Sequence, residues 1–198
     1  AATVGVAAYT ALQGLRDKGK LQADQKVLVN GASGGVGTFA VQIAKALGAE
    51  VTGVCSTRNI EMVRSIGADE IIDYTKEDFT RSRQTYDLVL DTVGTRSLSD
   101  CRRALSPQGI YVGVGGPKNT FRILGRMLGM AMRSLVGRQK MVSMLARTDH
   151  DDLLVLVEML SAGEVNPVID RTFPLRDAPD AFRHYAAGHA QGKTVITV

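Results

Sequence analysis

The sequence predicts an α/β fold built on a doubly wound parallel sheet of about six strands. Three observations lead there. Short apolar runs alternate with helical stretches of about ten residues between Val27 and Val114. Val27 to Gly37, VLVNGASGGVG, passes from strand to glycine-rich turn to helix N-terminus. Backbone N–H groups there lack intrahelical partners and the helix dipole is positive, which favours a phosphate. Third, the tail, with VNPVIDRTFPL and KTVITV, holds two strand patterns outside that alternation, so they serve another layer.

Each element has its own signal. Residues 2 to 18 have helical spacing, with Val6, Tyr9 or Thr10, and Leu12 to Leu15 on one side, and Gly19 closing the helix. Val27 to Val29 is a short apolar run bounded by turn residues, as a strand buried on both faces requires. Val36, Ala40, Ile43 and Leu47 share a helix face, and Gly48 stands where a C-terminal cap belongs. The unit then repeats. Glu50 to Cys55 is a strand, Arg58 to Ile66 a helix stopped by Gly67, and Glu70 to Asp73 a strand. A short helical piece near Glu77 to Ser82 precedes the strand Asp87 to Asp91. Leu98, Cys101 and Leu105 mark a helix ended by Pro107 and Gly109, and Ile110 to Val114 is the fifth strand. Met141 to Leu145 is the sixth, Asp151 to Ala162 a helix with acidic residues in its first turn, and Ala178 to Ala187 the last helix.

Residues 117 to 139 break the rhythm. Arg122, Arg126 and Arg133 share one helical face, opposite Ile123, Met127, Met130 and Ala131. A membrane-surface or partner-binding helix is one reading. Gly125, Gly129 and Gly137 favour the other, an excursion between sheet elements whose apolar side packs on a cleft.

At 198 residues the chain holds one large domain, or one domain and part of another. A hydrophobic content of 44% with 22% charged residues is that of a globular protein with a core. The net charge of +4 is locally placed, with nine basic and no acidic residues between Cys101 and Thr148, and no nucleic-acid partner is expected. Cys55 and Cys101 form no CxxC, so reduced thiols in the cytoplasm or an organelle matrix are expected. The uncharged N-terminal run lacks a basic n-region, and residues 27 to 44 hold glycines and polar side chains, so neither a signal peptide nor a membrane span is expected. A start at Ala1 points to part of a longer protein.

The glycine turn reads as AxGxxG, with Ala32 where the first glycine of a dinucleotide fingerprint would stand, then Gly34 and Gly37. Gly34 would let the backbone approach a pyrophosphate, and Gly37 would let the helix pack on its strand. The same residues satisfy GxSxG, as Gly31, Ser33 and Gly35, a hydrolase elbow with Asp91 and then His150, His184 or His189 in order. Such an elbow follows several strands, whereas here one helix precedes it, so Ser33 reads as a hydroxyl facing phosphate. A P-loop fails, because Thr38 rather than Lys follows the last glycine. Metal binding by His184 and His189 is not expected.

The choice between NAD and NADP belongs at the tip of the second strand. An acidic residue there would bond the ribose hydroxyls of NAD. The residues are Cys55, Ser56, Thr57, Arg58 and Asn59, two hydroxyls and a guanidinium with no carboxylate. That set suits the 2′-phosphate of NADP. A charge-assisted contact from Arg58 is worth about 1.5–3 kcal/mol, a preference of about ten- to a hundredfold. The turn Thr92 to Gly94, including Val93, and the loop Gly113 to Gly116, including Val114, lie at strand C-terminal ends and should border the nicotinamide half. No residue reads as a general acid.

VLVNGASGGVGTFAVQIAKALGAEV, VCSTRN, GADEIIDY, LVLDTVG, VIDRTFPL and GKTVITV together closely resemble the zinc-independent quinone oxidoreductase branch of the medium-chain dehydrogenase/reductases. The resemblance implies a Rossmann-type domain in which Ser33, Gly35 and Val36 line the pyrophosphate, and Ser56 with Tyr74 contacts the 2′-phosphate. Many relatives carry Lys where Asn59 stands, which leaves Arg58 as the cation. It implies a cofactor domain over residues 1–162 and a segment, 163–198, that returns to a mostly absent GroES-like substrate domain. It further implies NADP(H), hydride transfer to a quinone or α,β-unsaturated carbonyl, and a homodimer through sheet edges near Met141 to Leu145. Zinc-dependent relatives carry a ligand Cys before the first strand, and residues 1 to 26 hold none, so no catalytic zinc is expected. A non-catalytic NADP-sensing module is the alternative.

Overall fold

The structure is a computed structural model that describes residues 2–114, 125, 129–130, 138–188 and 190–198. The basic face expected at Arg122, Arg126 and Arg133 lies outside the described residues, as do His189, Gly116 and residue 115. Six strands form one sheet: β1 (Lys26–Asn30), β2 (Glu50–Cys55), β3 (Glu70–Asp73), β4 (Tyr86–Asp91), β5 (Leu105–Gly113) and β6 (Lys140–Ser143). Their order is β3-β2-β1-β4-β5-β6 and every neighbouring pair is parallel. The order reverses between β1 and β4, and a crevice outside the strand C-termini opens at such a point.

Both faces of the sheet are covered, which is why its strands read as apolar runs rather than as alternation. Val27, Val29, Val51, Leu88 and Leu90 enter one cluster with α1 (Gly5–Leu12) and α2 (Gly37–Ala46), while Leu28, Val54, Val89 and Tyr111 enter the other with Cys101 of α4 (Leu98–Arg103). Each fully buried Leu or Val contributes about 1.5–3 kcal/mol. A one-residue slip of β1 would exchange Val27 and Val29 for Leu28 between clusters, so packing holds the register Val27↔Val51 and Val27↔Leu88.

Further helices among the described residues are α3 (Ile60–Ser65), which follows a tight turn at Thr57–Asn59, α5 (His150–Ser161) and α6 (Ala178–Ala186). Gly48, Gly67 and Gly163 follow α2, α3 and α5 with positive φ, as their capping positions require. β7 (Ile169–Pro174) and β8 (Lys193–Thr197) pair in parallel as a separate two-stranded sheet, the second layer that the tail predicted.

The structure corrects several boundaries. The first helix is α-helical only to Leu12 and continues as a π-helical turn, Gln13–Lys18, with Gly19 N–H donating to Gly14 O at 2.9 Å. A Cβ on Gly19 would lie 2.5 Å from Leu88 Cδ2, so this residue lets the turn press onto β4. Val6, expected on the buried side, is 71% exposed. Buried Gln13 and partly exposed Arg16 instead turn toward Asp152 of α5, donating at 2.7 and 2.5 Å. The fourth helix ends at Arg103, not at Pro107, because β5 begins at Leu105 and carries Pro107 and Gly109 in a register shift opposite Tyr86 and Leu88. A bulge tolerates a proline, which has no ladder N–H to give. β6 stops at Ser143, and Leu145 beyond it is 95% exposed. Among the described residues no helix is long and apolar enough to cross a membrane.

Candidate functional site

The glycine turn leaves β1 at Asn30 and closes on the tip of β2. Gly31 and Ala32 N–H donate to Val54 O at 3.2 and 3.0 Å. Gly31 has φ +86°, and a Cβ there would lie 2.4 Å from Thr92 Oγ1 and 2.7 Å from Val93 Cγ2. The tight-turn glycine is therefore Gly31, one residue before the position that spacing indicated. Ala32 is buried against Gly53, so its side chain belongs to the core. Gly34 N–H donates to Gly31 O, and Thr38 N–H to Gly34 O, leading the chain into α2. A Cβ on Gly37 would fall 2.0 Å from Gly31 O, which makes it the close-packing glycine that the fingerprint expects. Partly buried Val36 packs on the core cluster.

Beside this turn a cleft of about 510 Å³ brings Ser33 together with Ser56, Thr57, Arg58 and Tyr74. Five predicted positions separated in sequence thus share one wall. Asn59 lines it as well, and its Nδ2 donates to Ser33 Oγ at 2.9 Å and to Ser56 Oγ at 3.2 Å. The Thr57 hydroxyl is turned away from the role its position predicted, because it donates to Asp73. Thr75 N and Oγ1 donate to the other Asp73 oxygen at 3.0 and 2.7 Å. These bonds, the one from Thr57 first, hold Asp73 down at about 2 against the opposing effect of burial. Asp73, beside the cleft residues Tyr74 and Thr75, thus has both carboxylate oxygens occupied by donors. Cys55, behind it, is pushed up to about 11 by burial and by the Asp73 charge, which makes it an inert thiol.

Tyr74, 57% exposed, also lines a second, more apolar slot of about 290 Å³ with Val54, Phe79 and Val93. The turn that follows β4 is held by buried Asp91. Its Oδ1 accepts from Val93 N at 3.0 Å and from Gly94 N at 2.9 Å, and Tyr111 OH donates to Oδ2 at 2.6 Å. Thr92 Oγ1 donates to Asn30 O at 2.8 Å. Val114 N–H donates to Asp91 O, so Gly113 and Val114 at the end of β5 join the same strand tips. Thr92, Val93, Gly113 and Val114 therefore lie together at the C-terminal tips of β4 and β5.

Among the described residues the hydrolase arrangement does not assemble. Ser33 Oγ is bonded to Asn59, Asp91 serves the β4 turn, and His184 Nε2 is 2.5 Å from Asp170 Oδ2. His150 is exposed at the start of α5. Among the described residues no group of three His, Cys, Asp or Glu side chains is arranged to hold a metal.

The C-terminal segment completes the site, and sequence reasoning missed it. Gly192 N–H donates to Ser33 O at 2.9 Å, and Gln191 Nε2 donates to Asn59 Oδ1 at 2.7 Å. A Cβ on Gly35 would lie 3.2 Å from Lys193 Nζ, so the ammonium hangs over the glycine turn. Half-burial lowers its proton affinity. No local pattern marks Gln191 or Lys193, because their partners lie more than a hundred residues away in the chain.

Residues 66–196 match the family described as zinc-binding dehydrogenase. The chain is 38% identical over 215 residues to the mitochondrial NAD(P)H oxidoreductase RTN4IP1 of Mus musculus, spanning 98% of this chain and 54% of that protein. It is 34% identical to the chloroplast envelope quinone oxidoreductase homolog of Arabidopsis thaliana, spanning 99% and 61%. Among solved structures, the quinone oxidoreductase from Coxiella burnetii superposes with a TM-score of 0.87 at 28% identity, over 100% of this chain and 60% of that one. This chain thus spans little more than half the length of these relatives. With its parallel sheet, its glycine turn and these matches, the chain belongs to the quinone oxidoreductase branch of the medium-chain dehydrogenase/reductases.

Proposed function

We propose that this chain is the NADPH-binding domain of an oxidoreductase that passes hydride to a quinone or an α,β-unsaturated carbonyl without zinc. The observation that carries the reading is the wall of the cleft. It presents Ser33, Ser56, Arg58 and Tyr74, while the adjacent carboxylate of Asp73 is occupied by Thr57 and Thr75. The set fits a phosphate monoester better than a pair of ribose hydroxyls.

When bound, the nicotinamide supplies the hydride. The chain's own residues bind and orient. Ala32 and Gly34 through Gly37, with the N-terminus of α2, face the pyrophosphate, with the Lys193 ammonium alongside, and Ser33 stands between the pyrophosphate and the 2′-phosphate. The slot of Val54, Phe79 and Val93 suits the adenine, and the strand tips at Thr92, Val93, Gly113 and Val114 border the nicotinamide half. Residues 1–162 form the cofactor domain, and 163–198 return to a substrate domain. Two relatives are named quinone oxidoreductases, which supports the substrate class. Absence of Cys from residues 1 to 26 supports the zinc-free reading, and stoichiometric zinc by elemental analysis would overturn it. A homodimer through β6, the edge strand, is read out by light scattering, and residence in cytoplasm or an organelle matrix by fractionation.

Calorimetric titration with NADPH and NADH tests the cofactor. NADPH should bind about ten- to a hundredfold more tightly, and equal affinities would sink the reading. Binding of NADPH by the full-length protein without reduction of any quinone or enone would make it a nucleotide-sensing module.

A further inference from the structure

We propose that Asn59, locked by Gln191, is a positioning residue that turns the Ser33 and Ser56 hydroxyls into hydrogen-bond donors toward the cleft, and so sets its preference for the phosphorylated dinucleotide. The inference rests on the NADPH reading above and assigns its selectivity to a residue that charge alone would not single out.

A serine hydroxyl has one proton and two lone pairs, while an Asn side chain has two N–H donors at one end and an acceptor at the other. Asn59 is 5% exposed and spends one face on both serines, at 2.9 Å to Ser33 Oγ and 3.2 Å to Ser56 Oγ. In these bonds both serine oxygens accept. Each hydroxyl proton is left for an acceptor in the cleft, and the cleft contains the Arg58 side chain. Two O–H donors beside a guanidinium match an oxyanion. They match a ribose hydroxyl less well, because it carries no charge for the guanidinium to meet.

The direction of the amide decides this polarity. Turned over, Asn59 would present Oδ1 to the serines, draw both protons to itself and leave lone pairs facing the phosphate. Gln191 opposes the turn, since its Nε2 donates to Asn59 Oδ1 at 2.7 Å and a turned-over Asn59 would set N–H donors against each other. The backbone beside Gln191 is held by Gly192, whose N–H donates to Ser33 O at 2.9 Å. The C-terminal segment thus reads out as hydroxyl orientation at a site built by β1 and β2.

The test is calorimetric titration of the 198-residue chain with NADPH and with NADH, for wild type, Asn59→Ala and Gln191→Met. Gln191→Met leaves every cleft side chain in place and removes only the lock. Each variant should weaken NADPH about tenfold and NADH less than about threefold, so the ratio of the two affinities falls, with the thermal midpoint close to wild type. Equal weakening of both nucleotides would make Asn59 a merely structural residue and overturn the proposal. So would a preserved ratio in Gln191→Met, even where Asn59→Ala fails to fold, and in that case the NADPH reading stands. Equal binding of NADPH and NADH by the wild-type chain would instead remove the reading and the proposal together.

Discussion

Asn30 Nδ2 donates to Asp91 Oδ1 at 2.8 Å, joining the tips of β1 and β4 across the point where the strand order reverses. The carboxylate is fully buried, and its other partners include Tyr111 OH and the backbone N–H groups of Val93 and Gly94. One side chain therefore sets both the spacing of the two strands and the shape of the turn that follows β4. Asp91→Ala would strip several buried donors of their acceptor at once. It should lose about 3 kcal/mol or more in urea denaturation, whereas Tyr111→Phe, which removes one donor, should lose about 1–2 kcal/mol. Equal losses from the two variants would contradict this distribution.

Two neighbouring glycines should answer differently to the same change. Gly37→Ala drives a methyl to 2.0 Å from the Gly31 carbonyl, a backbone atom that cannot swing away. Its thermal midpoint should drop sharply and nucleotide binding should vanish. Gly35→Ala meets chiefly the end of the Lys193 side chain at 3.2 Å, which can shift. It should keep the midpoint within a few degrees and still lose nucleotide affinity. Circular dichroism melts with parallel fluorescence titrations separate the two.

On the proposed reading, Arg58 and Lys193 would divide the charge of the site between different parts of the ligand. Arg58→Ala should lower NADPH affinity about ten- to a hundredfold and leave NADH nearly unchanged. Lys193→Met, removing a cation over the glycine turn, should weaken NADPH and NADH by the same factor, because both carry the pyrophosphate. A selective loss of NADPH in Lys193→Met would move that ammonium to the 2′-phosphate.

Thr57→Val tests the saturation of Asp73. The native carboxyl is held at about 2, with the Thr57 bond as the largest cause. A depressed carboxylate stabilises the fold above its unfolded value of about 3.9, and that contribution fades as pH falls through the folded value. Without the hydroxyl, the folded value should rise toward the ordinary range, so the stability this carboxylate contributes near neutral pH, and loses on acidification, becomes smaller. Carboxyl-carbon NMR titration reads the shift directly, and an unmoved Asp73 would refute the assignment.

Much of this was legible in the chain. β2 and β3 coincide with their predicted spans because their apolar runs are short and end on turn residues. The glycine turn and the tip of β2 were also readable, since local spacing and the alternation of elements place them, whereas Tyr74 came only from the family resemblance. Misreadings came where packing overrides local signals. Pro107 looks like a helix stop yet sits in a bulge of β5, and Gln13–Lys18 adopts a π-helical turn so that Gly19 can meet Leu88.

Sequence alone specified the sheet, its glycine turn and the absence of an acid at the tip of β2, because period and spacing are properties of neighbouring residues. Tertiary structure alone decided the polarity of the site. Whether Thr57 faces the cleft or Asp73, and which end of Asn59 meets the serines, depends on partners that the fold brings from β3 and from the C-terminal segment. A hydroxyl or an amide has no preferred direction until its partner is in place, and no pattern along the chain carries that information.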